Sequence, residues 1–252
     1  MTLALAQETF EVTLAQDAED IRAAQRLRYD VFVKELGGSG GCVNHNDKLE
    51  MDRFDTFADH LLLRETKSGD VVGCYRILTS DAARRAGGFY CETEFDLSLL
   101  KKSNNSPIEL GRSCLRADVR GTSAMYVMWS ALHDYAVTQS ADILFGVASL
   151  RGTDINSHAQ ALSILHQNHL APADLRPRSR DYQRMDIIPK SSLERRAAVL
   201  ALPALIKGYL RLGGTVGDGA FVDHAFNCTD VCMVLNTADL TPRQARLYGR
   251  TV

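Results

Sequence analysis

The stretch Ile108-Glu109-Leu110-Gly111-Arg112-Ser113-Cys114-Leu115-Arg116-Ala117-Asp118-Val119-Arg120-Gly121 decides how this chain is read, because a carboxylate and a guanidinium stand three residues apart in a run that otherwise looks like a buried strand. Opposite charges in such a run need partners, since burial strips them of water. Strict strand alternation would send Glu109 and Arg112 to opposite faces. Gly111 between them is the residue best suited to host a bulge, which would re-aim one side chain and let both line one cleft. A satisfied ion pair at a strand end is the other reading, and the stretch alone leaves both open.

Working outward, the segment from about Thr122 to Gln139 reads as a helix with Met125, Met128, Trp129, Leu132 and Tyr135 on its inner side, an ordinary core stripe. Ile143 to Leu150 is a continuous apolar run, as expected of a strand covered on both faces. Upstream, His60–Arg64 and Val71–Leu78 read as a hairpin joined by Lys67-Ser68-Gly69-Asp70. Phe10 to Leu14 alternates like a strand, and Asp17 is placed to cap a helix reaching about Glu35, with Ile21, Ala24, Leu27 and Val31 as its buried stripe. Arg28 borders that stripe, so it either snorkels at the edge or points into a cleft. Downstream, a helix over Ser157–Asn168, a capping box from Ser191 to Glu194, a helix started or kinked by Pro203 and ending at Gly213-Gly214, and a last strand Val231–Leu235 complete a mixed α/β pattern without repeats.

Composition narrows the function classes. The net charge of -2 gives no global field toward nucleic acid or anionic lipid. Six scattered cysteines read as thiols of a reducing compartment, and Cys228 and Cys232, with no matching second pair, do not make a zinc site. Glu8 and Glu11 stand where a signal peptide would carry basic residues, so a cytoplasmic location is expected. The longest apolar runs, Ile143–Leu150 and Ala197–Ile206, fall short of the roughly 20 residues of a spanning helix. No H-E-x-x-H pattern occurs, the G-x-S-x-G match at Gly37–Gly41 breaks a helix instead of forming a strand-to-helix elbow, and Gly213 to Gly219 follows a helix instead of opening one, which makes it a poor phosphate loop.

Residues Cys42 to Thr56 read as a polar, acidic loop with little periodicity, in which Glu50, Asp52 and Asp55 converge ahead of Asp59-His60. The ligand spacing of a calcium loop is absent, so no metal is assigned. An organic ammonium or a merely solvated loop answering Arg53 and Arg64 are the two readings.

Together these segments resemble the ornithine acyl-[acyl-carrier-protein] N-acyltransferases of the GNAT superfamily, which make lyso-ornithine lipid. LRYDVF (Leu27–Phe32), FDTFADHLL (Phe54–Leu62), VVGCYRIL (Val71–Leu78) and ELGRSCL (Glu109–Leu115) look like the family's acyl-transfer core. LPALIKGYLRLGGTVGDGAFVDHAFNCTD (Leu202–Asp230) looks like the signature shared with hemolysin-like acyltransferases. The resemblance implies one GNAT-like domain over 1–252, with an acyl-transfer core at 8–150 and a C-terminal half at 151–252, built on a mixed central sheet with a bulged central strand flanked by helices. It also implies transfer of a 3-hydroxyacyl group from acyl carrier protein, a 4'-phosphopantetheine thioester, to the α-amine of L-ornithine, with no bound cofactor. A related resemblance to acyl-homoserine-lactone synthases maps their functional pattern onto Arg28, Glu50, Asp52, Asp55, Arg76, Glu109 and Arg112.

In this reading Glu109 and Arg112 are catalytic. Arg28, Glu50, Asp52, Asp55 and Arg76 bind the amino acid, and Arg120, Gly121, Thr122 and Ser123 are a reduced acyl-donor phosphate loop. Arg176, Arg178, Arg180 and Arg184, or Arg195 and Arg196, are candidate contacts for the acidic carrier protein, and the lipid product implies peripheral contact with the inner membrane. The alternatives are another acceptor such as lysine or glutamine, an acyl-homoserine-lactone synthase-like activity, or a non-catalytic hemolysin-like acyl-binding protein.

Overall fold

The computed structural model describes residues 9–102 and 105–239. The described chain forms two compact units, the first from residues 9–87 together with Leu110–Ser140, the second from Gly88–Glu109 together with residues 141–239. The sequence reading had one division, at 150/151; here the chain passes between units at 87/88, 109/110 and 140/141.

The first unit begins with β1 (Phe10–Leu14) and helix α1 (Ala18–Arg28), followed by π-helical turns over Tyr29–Glu35. Asp17 starts α1 as expected, its side chain accepting from the amides of Glu19 and Asp20, both at 2.9 Å. The stretch read as an irregular loop contains a small ribbon, β2 (Val43–Asn44) against β3 (Leu49–Glu50). Then come β4 (Asp59–Glu65), β5 (Val71–Thr79) and helix α2 (Ser80–Ala86). In the second unit follow β6 (Phe95–Asp96) and helix α3 (Ser98–Lys102). Part of the expected Lys101–Ser106 linker lies outside the described residues. Strand β7 (Pro107–Leu115) belongs to both units, its first three residues to the second, and helix α4 (Ala124–Thr138) belongs to the first.

In the first unit the strands run in the order β1-β4-β5-β7, with β1 antiparallel to β4 and β4 to β5. The period of two sorts the side chains of β5. Cys74 joins the core formed by Ala24 and Leu27 of α1 with Val31, Leu62 and Cys114. Tyr75 points the other way, its hydroxyl accepting from Trp129 Nε1 of α4 at 3.1 Å. Arg76 therefore returns to the α1 face, where the guanidinium of Arg28 lies. The kink expected at Gly111 sits one residue later: Arg112 carries the left-handed backbone, φ 50°. An L residue there is strained by about 1–3 kcal/mol, which only surrounding contacts can hold.

In the second unit β7 runs parallel to β8 (Ile143–Arg151) over Pro107–Glu109, and β8 pairs antiparallel along its whole length with β12 (Cys228–Asn236). Helix α5 (Ala159–His169), β9 (Arg178–Ser179), helices α6 (Arg195–Ala201) and α7 (Ala204–Arg211), β10 (Thr215–Val216) and β11 (Phe221–Asp223) lie between them in sequence. The Ser191–Glu194 capping box does not form: Glu194 is itself the N-cap of α6 and gives no side-chain cap bond. Gly213 and Gly214 end α7 for two different reasons. Gly213 takes φ 86°, while a Cβ on Gly214 would stand 2.7 Å from the Tyr209 carbonyl oxygen. Among the described residues, no helix is long and apolar enough to cross a membrane.

Because Gly214 faces backbone that cannot give way, Gly214→Ala is expected to destabilise the protein by about 1–3 kcal/mol, the usual range for overpacking. Urea titration should show a lower midpoint with an unchanged slope, and an unaltered midpoint would mean that the Tyr209 turn yields freely.

Candidate active site

Six of the residues singled out in the sequence, Arg28, Glu50, Asp52, Asp55, Arg76 and Arg112, meet in one network within the first unit. Arg28 is fully buried, at 0% exposure, so it does not snorkel. Its Nη1 and Nη2 donate to the two oxygens of Asp55 at 2.9 and 2.8 Å, its Nε to Glu50 Oε2 at 2.5 Å, and Nη2 also to the Glu50 carbonyl at 2.6 Å. Arg76 Nη1 bridges Asp52 Oδ1 at 2.5 Å and Asp55 Oδ1 at 3.0 Å. Arg112 Nε reaches Glu50 Oε1 at 3.1 Å and its Nη2 reaches Asp52 Oδ2 at 3.0 Å. Three guanidinium groups and three carboxylates thus alternate, each carboxylate serving two arginines.

Burial raises the electrostatic stakes of every member. Burial alone would push the Arg28 proton off, yet Glu50 and Asp55 outweigh it and hold the group above its ordinary value. Burial likewise works to raise the Asp55 carboxyl, but Arg28, Arg76 and Gln25 hold it well below the usual carboxylate range. Asp52 is lowered for the same reason, with Arg76 and Arg112 overcoming its desolvation. His60 goes below its ordinary value because it is buried, although its Nε2 meets the Asp55 carbonyl oxygen at 2.9 Å.

Sequence reasoning missed Gln25, which donates to Asp55 Oδ2 at 2.9 Å, and gave no role to His60, which it met only beside the acidic loop and within FDTFADHLL. It also missed Cys42, whose Sγ lies within 4.8 Å of carboxylate oxygens of Glu50 and Asp52. Three arginines already balance these carboxylates, so the cluster is not suited to a metal ion. Desolvation raises the Cys42 thiol, which keeps it protonated.

Glu109, in the second unit, is 3% exposed and accepts from the amides of Tyr90 and Cys91, both at 2.8 Å, one on each carboxylate oxygen. It therefore fastens the short 3-10 turn Tyr90–Thr93. The expected phosphate loop precedes α4. Arg120 forms an ion pair with Glu35 and donates to the Leu115 carbonyl at 2.9 Å, Gly121 is left-handed at φ 76°, and Thr122 Oγ1 donates to the Val119 carbonyl at 2.6 Å. Ser123 stands at the N-cap, its buried hydroxyl taking no hydrogen bond. Of the candidate surface arginines, Arg178 faces Asp218 and Arg184 faces Asp186, while Arg195 and Arg196 are exposed on α6.

Comparison with known proteins places this arrangement. A protein of Rhodobacter capsulatus named L-ornithine N(alpha)-acyltransferase is 49% identical over 255 residues, covering 99% of this chain and 98% of its own length. One of the same name from Brucella abortus is 38% identical over 250 residues, covering 96% of this chain and 89% of its own length. The chain belongs to this acyltransferase family. A family model described as "Acetyltransferase (GNAT) domain" matches residues 27–130, which contain all six members of the network. Among solved structures, a CoA-dependent acyl-homoserine lactone synthase, BjaI, with SAM and isopentyl-CoA superposes with TM-score 0.55 at 13% identity, covering 96% of this chain and 92% of that one. FeeM, an N-acyl amino acid synthase from uncultured soil microbes, gives TM-score 0.55 at 11% identity, covering 94% of this chain and 97% of that one. At these identities the likeness is one of fold, and it confirms the GNAT-like mixed sheet. The protein is an acyltransferase enzyme, which removes the non-catalytic alternative.

The network is expected to govern the acid limb of stability. Asp52 and Asp55 have folded values below their unfolded ones, so they stabilise above about pH 4, and that contribution is lost as pH falls through the folded values. His60, depressed by burial, adds a weaker loss starting below about pH 6.5. Stability by urea unfolding is expected to fall weakly between about pH 6.5 and 4.5 and steeply below about pH 4. Asp55→Asn should cost about 3–5 kcal/mol at neutral pH, because it leaves Arg28 buried against a neutral partner, and should flatten the acid limb. An equally steep acid limb in that variant would show that other carboxylates set it.

Proposed function

We propose that this enzyme transfers a 3-hydroxyacyl group from acyl carrier protein to the α-amine of L-ornithine, giving lyso-ornithine lipid. The observation that carries the reading is the similarity, over nearly the whole chain, to relatives named L-ornithine N(alpha)-acyltransferase. The alternating guanidinium–carboxylate network supports it, since an amino acid with two ammonium groups and one carboxylate needs fixed charges of both signs.

Within the network the roles divide by accessibility. Arg28, Glu50 and Asp55 are the most deeply buried and act as positioning residues, with Arg76 behind Asp52. Asp52 and Arg112, whose side chains each keep 8% exposure, are the members assigned to substrate. Asp52 takes an ammonium of ornithine and Arg112 its carboxylate.

The donor is a thioester, so no enzyme nucleophile is required, and positioning and proton removal dominate. Glu109 is assigned the proton of the attacking amine. The amine nitrogen bonds to the acyl carbonyl carbon, the tetrahedral oxyanion is met by backbone N–H groups of β7, and the C–S bond breaks as Glu109 passes the proton to the departing sulfur, which leaves as the pantetheine thiol. The Arg120–Ser123 loop at the start of α4 is assigned the single phosphate of the pantetheine arm, for which the unsatisfied Ser123 hydroxyl is a ready donor.

Purified enzyme with 3-hydroxyacyl carrier protein should convert ornithine to its N-acyl product by mass spectrometry, ahead of lysine, glutamine and S-adenosylmethionine. Preference for another acceptor would overturn the assignment. Glu109→Gln is expected to lower turnover about a hundredfold or more. Because the new amide can accept only one of the Tyr90 and Cys91 N–H groups, its unfolding midpoint must be read alongside; near-normal turnover in a folded variant removes Glu109 from proton transfer. Asp52→Asn should act mainly on the amine, raising KM for ornithine about tenfold with a smaller change in kcat, whereas a pure kcat loss would argue against a binding role.

A further inference from the structure

Helix α6 and the start of α7 carry a face that the acyl-transfer chemistry leaves unused. Along α6, Arg195 and Val199, and Arg196 and Leu200, stand four residues apart, so each guanidinium shares a face with an aliphatic side chain one turn on. Leu200 is 68% exposed and Val199 42%, far more than packing against the sheet would leave them. The opposite side is held down by Ala198 of α6 and Ile206 of α7, both at 0% exposure. Lys207 adds a third cation at the same place, its Nζ donating to the Leu200 carbonyl at 3.0 Å. Residues 190–211 hold five cations and a single acid, Glu194, in a chain whose net charge is -2. Unlike Arg178 and Arg184, Arg195 and Arg196 form no ion pair among the described residues.

We propose that this face docks the enzyme on an anionic lipid surface, with Leu200 and Val199 entering the boundary between headgroups and acyl chains and Arg195, Arg196 and Lys207 meeting headgroup phosphates. Aliphatic tips beside cations are what an interface-binding segment needs, because burial of apolar area and attraction to anionic lipid add. A protein partner fits less well. A seven-residue helix is about 10 Å long. Its single face falls well short of the roughly 800 Å² per partner of a stable protein interface. The inference needs only the exposure and charge of this face and is independent of the acceptor chosen above.

The test is flotation of the full chain with vesicles of phosphatidylglycerol and phosphatidylcholine, or of phosphatidylcholine alone. The protein should float with the anionic vesicles only and be released by salt. Leu200→Glu, and separately Arg195→Gln with Arg196→Gln, should each weaken partitioning by roughly tenfold. Leu200→Glu should keep full turnover on soluble donor and amino acid, which separates failure here from failure of the acyl-transfer reading. Protein that stays unbound with anionic vesicles, or variants that float like the parent, would overturn the proposal. So would a loss of self-association in Leu200→Glu without vesicle binding, which would assign the face to a second copy. Weaker binding of acidic carrier protein by the arginine variants without vesicle binding would assign it to that partner.

Discussion

A guanidinium with no access to water governs the first unit. Arg28 lies on the inner face of α1, beside Leu27 and three residues short of Val31, where hydrophobic patterning alone would place an aliphatic side chain. Buried N–H donors must be matched in place, and four of its five are matched by groups carried by the acidic stretch 50–55. That requirement pulls an otherwise polar segment against the helix and fixes Glu50 and Asp55 in position. The second oxygen of Glu50 is then committed to Arg112, Asp55 Oδ1 is shared between Arg28 and Arg76, and Asp52 joins Arg76 and Arg112, so one buried charge dictates the order of the rest.

Such a network is a poor route to stability. Desolvation of six charges cancels much of the Coulomb gain, and apolar side chains of equal volume would serve the core as well or better. What the arrangement supplies is fixed charge of both signs at a place where side chains cannot drift, which is the condition for recognising a charged small molecule without reorganisation. Arg112 shows the same logic in the backbone. Its left-handed conformation is unfavourable for an L residue and is held by ion pairs to Glu50 and Asp52. The fold is shared at low identity with an acyl-homoserine lactone synthase and an N-acyl amino acid synthase, so the fold by itself does not specify the acceptor.

Much of the framework was legible from local pattern. The strands at Phe10–Leu14, Asp59–Glu65, Val71–Thr79 and Ile143–Arg151 follow from alternation or continuous apolar runs, and Asp17 announced α1 by its capping chemistry. The ordered blocks around Leu27, Phe54, Val71 and Glu109 pointed to the family and contain Arg28, Asp55, Arg76 and Arg112, while Glu50 and Asp52 stood out in the acidic loop Cys42–Thr56. Where the reading slipped, local signals were weak. Two-residue strands such as Val43–Asn44 leave no periodicity, the Ser191–Glu194 spacing occurs without a cap, and the kink near Gly111 fell on Arg112, whose side chain is tied to Glu50 and Asp52.

The sequence by itself determined the element types, the family and the identity of the charged residues, since each depends on neighbours within a turn or a strand. Only the tertiary structure decided which charge meets which. Arg28 finds Glu50 across 22 residues and Asp55 across 27, and Arg112 finds Glu50 across 62. The pairing of long, mobile side chains is set by the burial that packing imposes on them, and no periodicity along the chain encodes it. For the same reason Glu109, legible as a candidate base, emerged also as the anchor of the Tyr90–Cys91 turn, because amides leave no mark in the order of residues.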